Sequence, residues 1–211
     1  MMITLNNVSK QYKAGKVIIK PISREFSKGK AIALVGPNGS GKTTFLRLLS
    51  VNTYPTSGTV LYNGSDIHKN PVKYLSHTGL VHDDDALPQY MSAAELLEWI
   101  LRSRKKWEDQ QSPVQISELM DTLALFEERD ERIGTYSTGM RKKTQVAAAL
   151  ITAPEVLILD EPLRGLDSEA RKTVWSLLNK AKKDGVLIFM ASHTGEEGAE
   201  LFDEVLTFPL H

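Results

Sequence analysis

Residues 34–50 read LVGPNGSGKTTFLRLLS. An apolar run enters a glycine-rich stretch, and a lysine with two threonines leads out into leucines at helical spacing. Backbone N–H groups converge on an anion only where no side chain crowds them. The spacing Gly36-x-x-x-x-Gly41-Lys42-Thr43 supplies such a loop between a strand and a helix. Gly36, Gly39 and Gly41 let the backbone turn and approach phosphate, while Pro37, Asn38 and Ser40 complete the loop. The positive end of the following helix faces the anion. Lys42 is expected to reach the β- and γ-phosphates, Thr43 to ligate Mg²⁺ and Thr44 to donate to an α-phosphate. The loop predicts a nucleoside triphosphate site; alone it does not separate a kinase, a GTPase and an ATPase motor.

A second stretch narrows the choice. EVLILDEP, at 155–162, contains four apolar residues that read as a buried strand. Such a strand delivers Asp160 and Glu161 to its C-terminal end, where parallel sheets bind ligands. Asp160 is expected to meet Mg²⁺ through water, and Glu161 to polarise an attacking water as a general base.

Composition is ordinary for a globular chain of 211 residues, with 41% hydrophobic and 25% charged residues. Lys plus Arg and Asp plus Glu are 26 each, so the net charge is zero and no broad nucleic-acid footprint is expected. Cysteine is absent, which excludes disulfides, iron–sulfur clusters and thiolate chemistry. No apolar run approaches the roughly 18–20 residues that cross a bilayer, and no signal peptide opens the chain. Any membrane role is expected to come through a partner.

Along the chain, strands are expected in 2–12, around Ile22 and Phe26, in 31–36 and in 57–67, with turns at Gly58 and Asn63-Gly64. From Met91 to Ile151 the period is helical, ending in a long helix from Ser137 to Thr152. Strand and helix then alternate to the end, the pattern of a parallel sheet covered on both faces.

In order, GPNGSGKTT, YSTGM, LILDEP, GLD and SH resemble the motifs of the nucleotide-binding cassette of ABC transporters. The resemblance covers essentially the whole chain, including the helical insertion before YSTGM, which kinases and GTPases lack. It implies an α/β fold: a P-loop NTPase parallel sheet core with an N-terminal antiparallel β subdomain and an inserted α-helical subdomain. The antiparallel parts would be about 1–30 and 59–67, the nucleotide-binding core 31–82 and 153–211, and the helical subdomain 88–152. It further implies that Tyr12 stacks on adenine. Ser137, Thr138, Gly139 and Met140 occupy the signature position, usually LSGGQ, with Ser137 and Gly139 matching. Ser137 is also a good N-cap for the helix that follows. Asp167 falls in the D-loop, which contacts the other subunit, and His193 matches the switch histidine at the γ-phosphate.

The family usually has a glutamine after the strand that follows the antiparallel part, ligating Mg²⁺ and relaying to the membrane partner. Here one alignment, on Tyr74, puts His77 at that position; another, on the YLGHQ form of haem-export cassettes, puts Thr78 there. The acidic run Asp83-Asp84-Asp85 is read as solvated or as partner-facing surface. The resemblance implies an ATPase that binds ATP and Mg²⁺ and closes as a homodimer or with a related subunit. It would drive transport, with export favoured, through separate transmembrane permease subunits at the inner face of the cell membrane. The alternatives are a soluble ABC-type ATPase outside transport and a regulatory ATP-binding module that hydrolyses poorly.

Overall fold

A computed structural model describes residues 2–12, 15–84, 87–191 and 198–210. Strand β1 (Ile3–Gln11) pairs antiparallel with β2 (Val17–Phe26), placing Ile3 opposite Phe26. Strand β3 (Ala31–Val35) is apolar throughout and runs into the glycine loop, from which α1 (Lys42–Leu49) departs. Phe45, Leu46, Leu48 and Leu49 form the buried side of α1. Phe45 meets Phe189 and Phe208 edge-on, which seats the helix on the sheet. Strand β4 (Ser57–Tyr62) returns along the other side of β1, and β5 (Ser65–Asp66) follows a tight turn. A short helix, α2 (Pro71–Leu75), starts with proline, whose missing N–H costs nothing at that position. It leads to β6 (Thr78–Val81).

Three helices come next. In α3 (Ala93–Ser103) the Ser92 side chain and Glu95 form a reciprocal capping box. Helix α4 (Ser112–Thr122) and α5 (Thr138–Leu150) complete the group, packed around Leu97, Ile116, Met120, Ile133 and Val146. Strand β7 (Val156–Asp160), α6 (Ser168–Lys183), β8 (Leu187–Ala191) and β9 (Glu204–Thr207) finish the chain. Asp167 caps α6 by accepting from the Ala170 N–H at 2.8 Å, and three lysines in its last turn face the negative dipole end. Between β8 and β9 the described residues include a single 3₁₀ turn at Ala199–Leu201.

Two sheets result. The antiparallel one has the order β2-β1-β4-β5, and the other, in which every pair is parallel, has the order β6-β7-β8-β3-β9. Its register controls the site. Val81 pairs with Leu159, Asp160 with Ala191, and Ala191 with Leu34. The chain after β6, the end of β7 and the loop after β3 therefore emerge side by side at one edge.

Candidate nucleotide site

The glycine loop is shaped by what surrounds it. Gly36 lies so near the chain at Phe208 that a Cβ would sit 2.4 Å from the Phe208 carbonyl oxygen, so only glycine fits. Gly41 caps α1 at φ +111°, a left-handed conformation, and offers no side chain to the helix N–H groups. No acidic residue occupies the first turn of α1. These N–H donors and the dipole are thus left for an external anion. Lys42 is buried, and its Nζ donates to the carbonyls of Gly36 at 2.6 Å and Pro37 at 3.2 Å. The ammonium is folded over the loop, where phosphate oxygens can replace those carbonyls. Ser40 Oγ is buried with no hydrogen-bond partner, a polar atom suited to a phosphate oxygen. A polyphosphate fits this donor set.

Next to it, five buried residues of β7 end in Asp160, which is 8% exposed. Burial pushes its carboxyl pKa up, and the negative charge of Asp83 adds to that. A hydrogen bond from Thr43 and the charges of Arg47 and His82 pull the other way. Glu161 is the first residue beyond the strand; at φ +51° its N–H donates to the Ala191 carbonyl at 3.1 Å. A cavity of about 210 Å³ is lined by Asn38, Gly39, Gly41, Lys42, Thr43 and Thr44 on one side and by Ile18, Asp83, Asp160 and Glu161 on the other. Among the described residues no three Asp, Glu or His side chains form a metal site by themselves. Thr43 and Asp160 provide two donors, and Mg²⁺ is typically held by so few when phosphates and water supply the rest. Another cavity, of about 530 Å³, lies elsewhere, among α4, α6 and the end of α5, and contains none of these residues.

The structure does not bring His77 or Thr78 to this edge. Thr78 begins β6 and pairs with Val156, at the start of β7, four residues before Asp160. At roughly 3.3 Å per residue the two lie about 13 Å apart along the strand direction. The Thr78 hydroxyl is buried and donates to the Tyr74 carbonyl at 2.9 Å, while His77 faces Glu155. The residues that follow β6 at the correct edge are His82 and Asp83. Together with Asp84 they line a second cavity, of about 140 Å³, with Thr43, Arg47 and Asp160. The acidic run is therefore part of the site at Asp83 and Asp84; Asp85 lies outside the described residues. Counting from Tyr74 fails because Tyr74 belongs to helix α2, not to the strand.

Helix α5 holds this loop in place. The buried Lys142 donates to the His82 carbonyl at 2.9 Å, and Gln145 donates to the Asp84 carbonyl at 2.6 Å. Neither side chain stands out in the sequence, because an interior Lys and Gln of a helix read as solvated. At the other end of α5, Ser137 Oγ accepts from the Met140 N–H at 3.2 Å as an N-cap. Ser137 and Thr138 are exposed, and none of Ser137, Thr138, Gly139 and Met140 lines the cavity around Lys42. Tyr136 is buried, with its hydroxyl donating to the Glu128 carbonyl. Gly139 lies against Gly165, so the 164–167 loop packs on the start of α5. Tyr12 is 52% exposed just past β1, with Lys10 Nζ 4.8 Å from its ring centroid. His193 lies outside the described residues.

A family model described as ABC transporter matches residues 19–164. The doxorubicin resistance ATP-binding protein DrrA of Mycobacterium tuberculosis is 32% identical over 98% of this chain, which spans 62% of DrrA. The spermidine/putrescine import ATP-binding protein PotA of Spiroplasma citri is 31% identical over 97% of the chain, which spans 58% of PotA. The chain thus covers less than two thirds of the length of these relatives. Among solved structures, an ATP-binding subunit of an ABC transporter superposes with a TM-score of 0.91 at 20% identity, covering 99% of this chain and 86% of that one. A dimeric post-hydrolysis state of the ATP-binding cassette MJ0796 bound to ADP and Pi gives 0.87 at 22% identity, covering 98% and 94%. The phosphate loop, the Asp160–Glu161 pair at the end of β7 and the family match lead to one conclusion: the chain belongs to the ABC transporter ATP-binding family.

Proposed function

We propose that the protein is an ATP-binding and ATP-hydrolysing subunit that closes as a dimer around two ATP molecules and drives transport through separate transmembrane subunits. The single observation that carries this reading is the separation of two anion-ready surfaces on one chain. The Lys42 loop lines a cavity, whereas the Ser137-capped start of α5 is exposed and does not contribute to it. A second copy, turned head to tail, brings Ser137, Thr138, Gly139 and Met140 to the γ-phosphate held by Lys42 of the first. Asp167 then faces the other copy, Tyr12 stacks on adenine, and His193 meets the γ-phosphate.

Within each site Lys42 and the α1 N-terminus hold the phosphate chain, with Thr43 and Asp160 as the protein donors to Mg²⁺. The cation, when bound, neutralises charge on the β- and γ-phosphates. Glu161, on the same edge, orients and deprotonates the attacking water. ATP favours the closed pair by touching both copies; loss of the γ-phosphate removes that differential affinity. Among the described residues no helix is long and apolar enough to cross a membrane, so contact with the inner face of the cell membrane is assigned to the permease. Export is preferred because of DrrA, whose name states drug resistance, although PotA is named for import.

Glu161→Gln tests the reading. With ATP and Mg²⁺ the variant should sediment as a dimer and lose hydrolysis by about a hundredfold or more. Equal slow turnover in wild type and variant would favour a regulatory module. A monomer at every concentration, in variant and wild type alike, would reject the shared site.

A further inference from the structure

We propose that Asp83, with Arg164 as its counter-ion, sets how strongly ATP binding depends on a divalent cation. The inference rests on the nucleotide site described above. Asp83 lines the cavity that contains Lys42 and Thr43 and also the neighbouring one beside Arg47, and its charge reaches the Asp160 carboxylate. It is held there from three directions. Lys142 ties the residue before it, Gln145 ties the residue after it, and Arg164 Nη1 donates to Asp83 Oδ1 at 2.7 Å. Arg164 stands in the loop immediately after Glu161, and its N–H donates to the Glu161 carbonyl at 3.2 Å. The pair therefore bridges the two loops that flank the expected position of the metal.

A carboxylate at this point acts with opposite sign on the two components of the ligand. It attracts a cation and repels a bare polyphosphate, whereas a neutral amide does neither by charge. Arg164 offsets both effects by screening Asp83. Its removal should expose the full carboxylate charge, raising the reward for bound cation and the penalty for metal-free nucleotide. The Asp83 side chain is 46% exposed and that of Arg164 67%, so solvent screening limits each effect to about three- to tenfold.

The experiment measures the Kd of a fluorescent, non-hydrolysable ATP analogue in Mg²⁺ and in EDTA. Binding of Mn²⁺ to the protein–analogue complex is followed by electron paramagnetic resonance. Asp83→Asn should tighten analogue binding in EDTA and weaken Mn²⁺ binding, each by about three- to tenfold. Arg164→Ala should shift both quantities the opposite way, and these shifts should shrink in an Asp83→Asn background, where no carboxylate is left to screen. A purely structural role would move Kd in Mg²⁺ and EDTA together, and that result overturns the proposal, as does no change in either. Wild type that binds no analogue under either condition would overturn the nucleotide site itself, a distinguishable failure.

Discussion

Two loops leave the parallel sheet at the same edge, and they differ in what specifies them. The loop after β3 is fixed by residue type: Gly36 by the close approach of Phe208, Gly41 by its left-handed cap, Lys42 by its reach back to the Gly36 and Pro37 carbonyls. The loop after β6 is fixed by register and by another element. Val81 opposite Leu159 brings His82 and Asp83 out beside Asp160, and Lys142 and Gln145 of α5 hold them there. The first loop carries its own instructions, whereas the second borrows them from its neighbours. The lesson is that a binding edge can combine a locally encoded cradle with a wall positioned only by tertiary contacts.

The strongest way to break this contrast is to strike the self-contained loop. Lys42→Ala should reduce ATP hydrolysis by about a hundredfold or more, measured by phosphate release, while the melting temperature of the nucleotide-free protein stays near wild type. If the activity survives, the cradle is not what the glycine spacing implies.

For the second loop the decisive position is structural. Gly79, in β6, faces α5 so closely that a Cβ would lie 2.2 Å from the Ala149 carbonyl oxygen. Gly79→Ala should force strand and helix apart and cost about 2–3 kcal/mol in denaturant unfolding, a typical overpacking penalty at its upper end. The accompanying displacement should also weaken the Lys142 brace, seen as faster amide exchange at 82–84. An unchanged midpoint would mean that β6 is not seated on α5 as described.

These two regions also explain what was legible in the sequence. The phosphate loop, the Asp160–Glu161 pair and the Ser137 cap are each written in a short stretch with a local physical cause, so the parallel core and its edge could be read directly. The wall at 82–84 could not be read by counting from Tyr74. Tyr74 lies in Asn70-Pro71-Val72-Lys73-Tyr74, and proline at the first helical position makes that stretch α2 rather than a strand. The usable signal was TGLV itself, a short run comparable to the strand before Asp160; aligning the two strands by their ends would have pointed to His82 and Asp83. Lys142 and Gln145 gave no such signal, because polar residues in a helix carry no mark of burial.

Two smaller effects sharpen the comparison by separating fold from site. Ser137→Ala removes the N-cap of α5 and should lower stability by about 1 kcal/mol, read as a shift in denaturant midpoint. Asp203 lies at the opposite edge, accepting from the Ala31 N–H at 2.9 Å and pairing with Lys182 at 2.8 Å and Lys30 at 3.2 Å. Burial opposes its ionisation, but the hydrogen bonds from Lys182, Ala31 and Lys30 prevail and hold its pKa down at about 2. A folded value below the unfolded one, near 3.9, stabilises the protein fully above about pH 4. That contribution is lost as pH falls towards 2. Asp203→Asn should therefore lower stability by about 1 kcal/mol or less at pH 7, a difference that shrinks below pH 4, with nucleotide affinity unchanged. A loss of nucleotide affinity in this variant would mean that the two edges of the sheet are not independent.

The central claim is that each nucleotide lies between the Lys42 loop of one copy and the Ser137–Gly139 segment of another. Complementation in a Glu161→Gln background tests it most directly, using one chain that also carries Lys42→Ala and a second that also carries Ser137→Arg. Each alone has both shared sites damaged, but a mixed pair retains one intact site, formed by the second chain's lysine loop and the first chain's helix start. With ATP and Mg²⁺, the mixture should yield heterodimers with one nucleotide per pair in sedimentation and binding measurements, while the separate chains stay monomeric. A mixture that behaves as the sum of its components, beside a Glu161→Gln control that dimerises, would contradict the account.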